Sequence, residues 1–166
     1  MKKNAQMIIV ATAILLSTGG MVAVKQRVPL ITLDELERRL ENGGDTTFVV
    51  NLWATWCAPC VAEMPHFERL QAKFRSKPLH VLFVSVDARK DLEAVNRFVE
   101  ARKLKSEVLL LDEQNEQEFI PKVSPDWSGA IPATLFVNNS MDFRVFKEQE
   151  FDYQELERTY LSIITQ

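Results

Sequence analysis

Apolar positions along this chain follow two rhythms in turn. Thr32 and Glu35 form a capping box, and Leu33, Leu36 and Leu40 then recur at helical spacing until Gly43-Gly44 stops the turn. Phe48 to Trp53 is a nearly continuous apolar run, as expected of a central strand covered on both faces. Helical spacing returns at Met64, Phe67, Leu70 and Phe74 and ends near Lys77-Pro78, with Pro65 inside the pattern, where it bends the helix. Val81 to Val86 reads as a second buried strand, and Leu92, Val95, Phe98 and Val99 mark another helix. Val108 to Leu111 is a short strand, and Glu116 to Val123 a short helix. Beyond the loop at Ser124 to Gly129, strands at Ala133 to Val137 and Phe143 to Phe146 flank the turn Asn138-Asn139-Ser140. Tyr153, Leu156, Tyr160 and Ile164 give a closing amphipathic helix. Strands alternating with helices and ending in a hairpin plus helix describe an α/β sandwich with a mixed central sheet.

Composition narrows what such a domain does. The 166 residues are 46% hydrophobic and 26% charged, which is ordinary for one globular domain with a sizeable core. A net charge of -3 with interspersed signs leaves no basic stripe, so nucleic acid is excluded as a partner. Residues 1–24 break the pattern: Lys2 and Lys3 precede the uncharged run Met7 to Val24, whose 18 residues are at the lower limit for a membrane-spanning helix. Basic start, apolar core and small residues also describe a cleavable secretory signal, although no A-x-A pattern follows. The expected organisation is a signal peptide or membrane anchor at 1–24 and one domain at 25–166, outside the cytoplasm. Lysines and arginines on both sides of the apolar run give little charge bias for orientation. Only two cysteines are present, so burial, not a disulfide framework, must hold the domain together.

Those two cysteines carry the chemistry. Trp56-Cys57-Ala58-Pro59-Cys60 stands where the first buried strand hands over to a helix. At a helix N-terminus, unpaired backbone N–H groups and the helix dipole stabilise an anion, so Cys57 should ionise more readily than a free thiol. Cys60 follows one turn along, close enough to close a disulfide or to attack a mixed disulfide on Cys57. Pro59 falls in the first helical turn, where its missing N–H costs nothing.

The segment Val50 to Cys60 resembles the active-site segment of thioredoxin-fold proteins, and Glu63-Met64-Pro65 after it is similar to the membrane-anchored TlpA/ResA/DsbE group. Ala130-Ile131-Pro132-Ala133-Thr134 resembles the loop that holds their cis-proline. The resemblance covers about residues 28–166. It implies a thioredoxin fold with a β-α insertion between Asp87 and Pro132. It also implies an extracytoplasmic thiol–disulfide oxidoreductase, a disulfide reductase acting through Cys57 and Cys60. Protein disulfides are the implied substrates, Ile131, Pro132 and Trp56 the substrate-binding residues, and a membrane thiol donor the implied partner, often in cytochrome c maturation. A cis Ile131–Pro132 bond would offer the Ile131 backbone to an extended substrate. No cofactor or metal is implied.

One departure stands out. Thioredoxin proper has a buried acid where this chain has Asn51, and Glu63 is the candidate to replace it as proton acceptor or pKa-tuning group. It lies three residues after Cys60, on the same helical face; spacing alone favours a solvated surface Glu, and the resemblance brings the two readings level. Competing functions are weaker. Structural zinc needs four ligands and there is no second cysteine pair. Val61 rules out the C-x-x-C-H haem motif. A peroxiredoxin-like peroxidase would place Pro and Thr where Val50 and Ala54 stand. A non-catalytic module on this fold would not need both cysteines and Pro132. Trp53 is expected in the core, Trp127 is expected to pack near the site with a substrate groove as the alternative, and His66 and His80 belong to no cluster.

Overall fold

The apolar run expected to be covered on both faces forms the centre of the molecule. In the computed structural model, which describes residues 27–113 and 115–165, β2 (Thr47–Trp53) is buried along its whole length. It pairs in parallel with β3 (Leu79–Ser85) and antiparallel with β5 (Ala133–Asn138). Outside β3 come β4 (Glu107–Leu111) and then β1 (Leu30–Ile31), both parallel to their neighbours. Outside β5 lies β6 (Phe143–Lys147), its antiparallel hairpin partner. The sheet is thus mixed, in the order β1-β4-β3-β2-β5-β6. The two-residue β1 has no period to read and was not visible in the sequence pattern; backbone bonds from Leu110 and Asp112 hold it.

Among the described residues, five helices cover the two faces. Helices α1 (Leu33–Glu41) and α4 (Glu116–Val123) pack on one, with the reciprocal Thr32–Glu35 capping box starting α1. Helices α2 (Ala58–Lys73), α3 (Leu92–Arg102) and α5 (Tyr153–Ile164) pack on the other. The side-chain period of a strand divides β2 between them. Phe48, Val50 and Leu52 enter the α1/α4 interior with Leu36, Leu40, Leu82 and Leu135, whereas Val49 and Trp53 enter the α2/α3/α5 interior. There Phe67 lies edge-on to both Phe83 and Phe151, and Phe136 edge-on to Phe151. Each such fully buried side chain contributes roughly 1.5–3 kcal/mol relative to exposure.

One detail differs from the sequence pattern. The core stripe of α5 ends on Ile163 rather than Ile164, because the last step is three residues and not four. Helix α2 continues for two turns beyond Pro65, whose ring lies on the exposed side. Between β3 and β5, the chain inserts α3, β4 and α4, with β4 taking the place between β3 and β1. The apolar N-terminal segment read as signal or anchor lies outside the described residues. Among the described residues no helix is long and apolar enough to cross a membrane.

Candidate active site

The C-terminal end of β2 delivers the chain to the site. Ala54 is buried, and its carbonyl accepts from the Cys57 N–H at 3.1 Å, so residues 54–57 form a tight turn into α2. Asp87, just past β3, fixes that turn from the side. Its carboxylate accepts from the Thr55 N–H at 2.9 Å, the Thr55 hydroxyl at 2.7 Å and the Ser85 hydroxyl at 2.7 Å. Cys57 is the N-cap of α2, and its Sγ accepts from the Cys60 N–H at 3.3 Å. One orphan donor of the helix end is therefore aimed at the sulfur, as the chemistry of an anionic Cys57 requires. Cys57 and Cys60 are joined as a disulfide with their Cα atoms 5.3 Å apart.

The two sulfurs have different surroundings. Cys60 is fully covered and packs in the α2/α3/α5 interior. Cys57 is 5% exposed, a narrow window beside Trp56, which is 71% exposed. On its other side, Cys57 Sγ lies 3.8 Å from the Ile131 carbonyl oxygen. The Ile131–Pro132 peptide is cis, Ile131 is half-buried and Pro132 buried. The structure thus brings Trp56, Cys57, Ile131 and Pro132 to one mouth.

Glu63 is fully buried, not solvated. Its Oε2 accepts from the Phe151 N–H at 2.7 Å, where the chain enters α5, and its Oε1 accepts from Asn51 Nδ2 at 2.8 Å. Asn51 Nδ2 also reaches Thr134 Oγ1 at 3.3 Å, and Asn51 Oδ1 has no hydrogen-bond partner among the described residues. Burial pushes the Glu63 carboxyl up to about 7, with the two N–H donors opposing the rise and the nearby Glu150 charge adding to it. A carboxyl in that range takes and gives up a proton near neutrality.

The model of the AhpC/TSA family matches residues 24–145. The chain belongs to the AhpC/TSA family. Among curated relatives, it is 33% identical over 89 residues to the thiol-disulfide oxidoreductase ResA of Oceanobacillus iheyensis. That match covers 54% of this chain and 42% of the relative, so it spans less than half of the relative's length. It is 26% identical over 145 residues to ResA of Geobacillus kaustophilus, covering 86% of this chain and 79% of the relative. Among solved structures, a thioredoxin-related protein from Neisseria meningitidis serogroup B superposes with a TM-score of 0.62 at 21% identity, over 72% of this chain and 86% of that one. The thioredoxin fold is thereby shown, and the matched AhpC/TSA region contains Cys57, Cys60, Glu63, Ile131 and Pro132.

Sequence reading missed three contributors to this AhpC/TSA site: Asp87, Thr134 and the Phe151 N–H. Only Asp87 carried a signal, an acid directly after a buried strand, and that position alone does not reveal its bonds to Thr55. Trp53 and Trp127 are buried core residues as expected, the Trp127 indole donating to the Ala130 carbonyl at 2.8 Å. His80 meets Glu107 at 3.0 Å and lies far along the sheet from the cysteines. Among the described residues no group of three or more His, Cys, Asp or Glu side chains is placed to hold a metal ion.

Proposed function

We propose that the chain is a thiol–disulfide oxidoreductase that reduces protein disulfides through the Cys57–Cys60 couple. One observation carries this reading: the pair closes as a disulfide across the first turn of α2, with Cys57 at the mouth and Cys60 covered. In the reduced protein, the Cys57 thiolate attacks one sulfur of a substrate disulfide. A Cys57–substrate bond forms, the substrate S–S bond breaks, and the second substrate sulfur leaves as a thiolate. Cys60 then gives up its proton, with Glu63 as the acceptor, and attacks Cys57 Sγ. The internal disulfide forms and the first substrate sulfur leaves. Two electrons have passed from the dithiol to the substrate, and an external thiol donor must return them.

Trp56 and the Ile131 backbone flank the attacked sulfur, which supports them as the surfaces that hold an extended substrate. The names of the ResA relatives support the same chemistry. Residues 1–24 are proposed as signal or anchor and residues 25–166 as the domain, which would work outside the cytoplasm with a membrane thiol donor supplying electrons. An epitope placed after residue 30 should lie outside the cytoplasm, and deleting residues 1–27 should release the protein from membranes.

Equilibration of the couple in thiol redox buffers tests the reductase direction. Known pairs on this fold run from about -270 to about -120 mV, and a value near the reducing end is expected. A value near the oxidising end would make the protein a disulfide donor.

A further inference from the structure

Helix α2 is apolar on two sides. Cys60, Met64, Phe67 and Leu70 face the core, but Ala58, Val61, Ala62 and Pro65 form a second stripe at i, i+3, i+4 and i+7 that faces outwards. An apolar stripe on a helix is ordinarily covered, and among the described residues this outward one stays largely exposed. It forms the floor of a groove of about 570 Å³ that begins at Thr55 and Trp56, beside Cys57. The inserted helix α3 supplies the far wall through Phe98 and Arg102. Phe98 is anchored against Trp53 of β2 with ring centroids 5.0 Å apart, and Glu68 of α2 accepts from the Lys105 and Ser106 N–H groups just past α3, so the wall is tied to the sheet and to α2.

The charge in the groove has one sign. The Arg102 guanidinium lies 5.4 Å above the Phe98 ring and makes no ion pair among the described residues. From Ala58 to Pro65 the helix rises about 10 Å, the span of about three extended residues. We propose that this groove seats the stretch of a substrate polypeptide next to its target cysteine, carrying an apolar side chain near the cysteine and a carboxylate about three residues away. The inference rests on the oxidoreductase reading and adds a substrate class to it. The apolar side chain covers the Ala58–Pro65 stripe beside Trp56, and the carboxylate pairs with Arg102.

Peptides with a single cysteine capped by a neutral 2-hydroxyethylthio group test it. Each carries Leu beside the cysteine and either Asp or Lys three residues away, on one side or the other. The reduced protein should attack the Asp peptide about five- to tenfold faster than the Lys peptide on one of the two sides, as expected for a partly exposed charge pair. Arg102→Glu should reverse the ratio, and Ala62→Glu, which puts a carboxylate on the groove floor, should reduce it. Lys122→Glu, on α4 across the sheet, should leave the ratio unchanged. Equal rates for both peptides, or a ratio that neither groove variant moves, overturns the proposal. If sedimentation finds a dimer that Ala62→Glu dissociates and no peptide preference exists, the stripe belongs to a second copy and the proposal is wrong. Failure of the wild type to reduce even bis(2-hydroxyethyl) disulfide, which is too small to reach Arg102, would instead remove the oxidoreductase reading beneath it.

Discussion

Strand β2 divides its side chains between two interiors of different chemistry. Towards α1 and α4 it sends Phe48, Val50 and Leu52 into a core of aliphatic and aromatic groups. Towards α2 and α5 it sends Asn51 between Val49 and Trp53, and Asn51 meets a carboxylate that is wholly removed from water. The first interior stabilises chiefly by apolar burial. The second stabilises less per residue, because Glu63 resists ionisation and Asn51 Oδ1, Trp53 Nε1 and Tyr160 Oη lack hydrogen-bond partners among the described residues. The molecule places its polar cost on the side of the sheet that holds Cys60. This is the pattern expected where a pKa is set for a task, and the other face supports it.

The largest effect should come from the cysteines. Cys57→Ser and Cys60→Ser should each lower disulfide reduction by on the order of 10³-fold or more, since neither half of the exchange proceeds alone. The two variants should differ in what they leave behind. Cys60→Ser should accumulate a mixed disulfide through Cys57, visible on a non-reducing gel, and Cys57→Ser should accumulate almost none. Equal trapping by both would mean that the mouth and the interior do not divide the roles.

Next in size is a cut in the apolar interior. Leu82→Ala, fully buried under α1 and α4, should cost about 2–5 kcal/mol of stability by denaturant titration. It should leave the pH profile of thiol alkylation where it was. A shifted profile would show that the two interiors are coupled and that the contrast between them is too sharp.

Glu63→Gln makes the opposite cut. The folded-state pKa of Glu63 is raised, from an ordinary 4.5 to about 7, so the native state holds this proton more tightly than the unfolded chain. Its stabilising contribution is full below about pH 4.5 and is lost as pH rises through about 7. The loss is on the order of 3 kcal/mol. Gln does not titrate, so Glu63→Gln should flatten this limb and shift the pH profile of thiol reactivity. If both curves keep their wild-type shape, Glu63 is a structural carboxyl and not the acceptor.

These contrasts were unequally legible in the sequence. The α1/α4 interior follows from period alone: the Leu33, Leu36, Leu40 stripe and the run around Val50 locate it. The cysteines were legible because strand, turn and helix are contiguous around them. Glu63 was ambiguous, because helical spacing gives a face but not what covers it. The cover is the Phe151 N–H, 88 residues away, brought in by the packing of α5 on α2. The Thr55–Asp87 clamp joins two loops 32 residues apart and depends on the pairing of β2 with β3. Distances of this kind are set by tertiary packing, which leaves no local period.

The smallest expected effect isolates Asn51. Its Nδ2 donates one of the two N–H bonds that favour the ionised Glu63, the Phe151 N–H being the other. Hydrogen bonds to charged groups are worth about 1.5–3 kcal/mol, and the space opened by truncation can admit water that returns part of this. Asn51→Ala should therefore move the Glu63 midpoint upwards by roughly one pH unit, read from the carboxyl infrared band or from the falling limb of stability. Thr134→Val, which removes only the neighbouring hydroxyl that Asn51 also contacts, should move it less. The ordering matters more than either number, because desolvation and hydrogen bonding act on this carboxyl in opposite directions. A midpoint that falls in Asn51→Ala would mean that admitted water outweighs the lost donor, and that Asn51 holds the pocket closed more than it holds the charge. A midpoint that stays fixed would leave the displacement of Glu63 to burial, the Phe151 N–H and the Glu150 charge, and give Asn51 no part in tuning it.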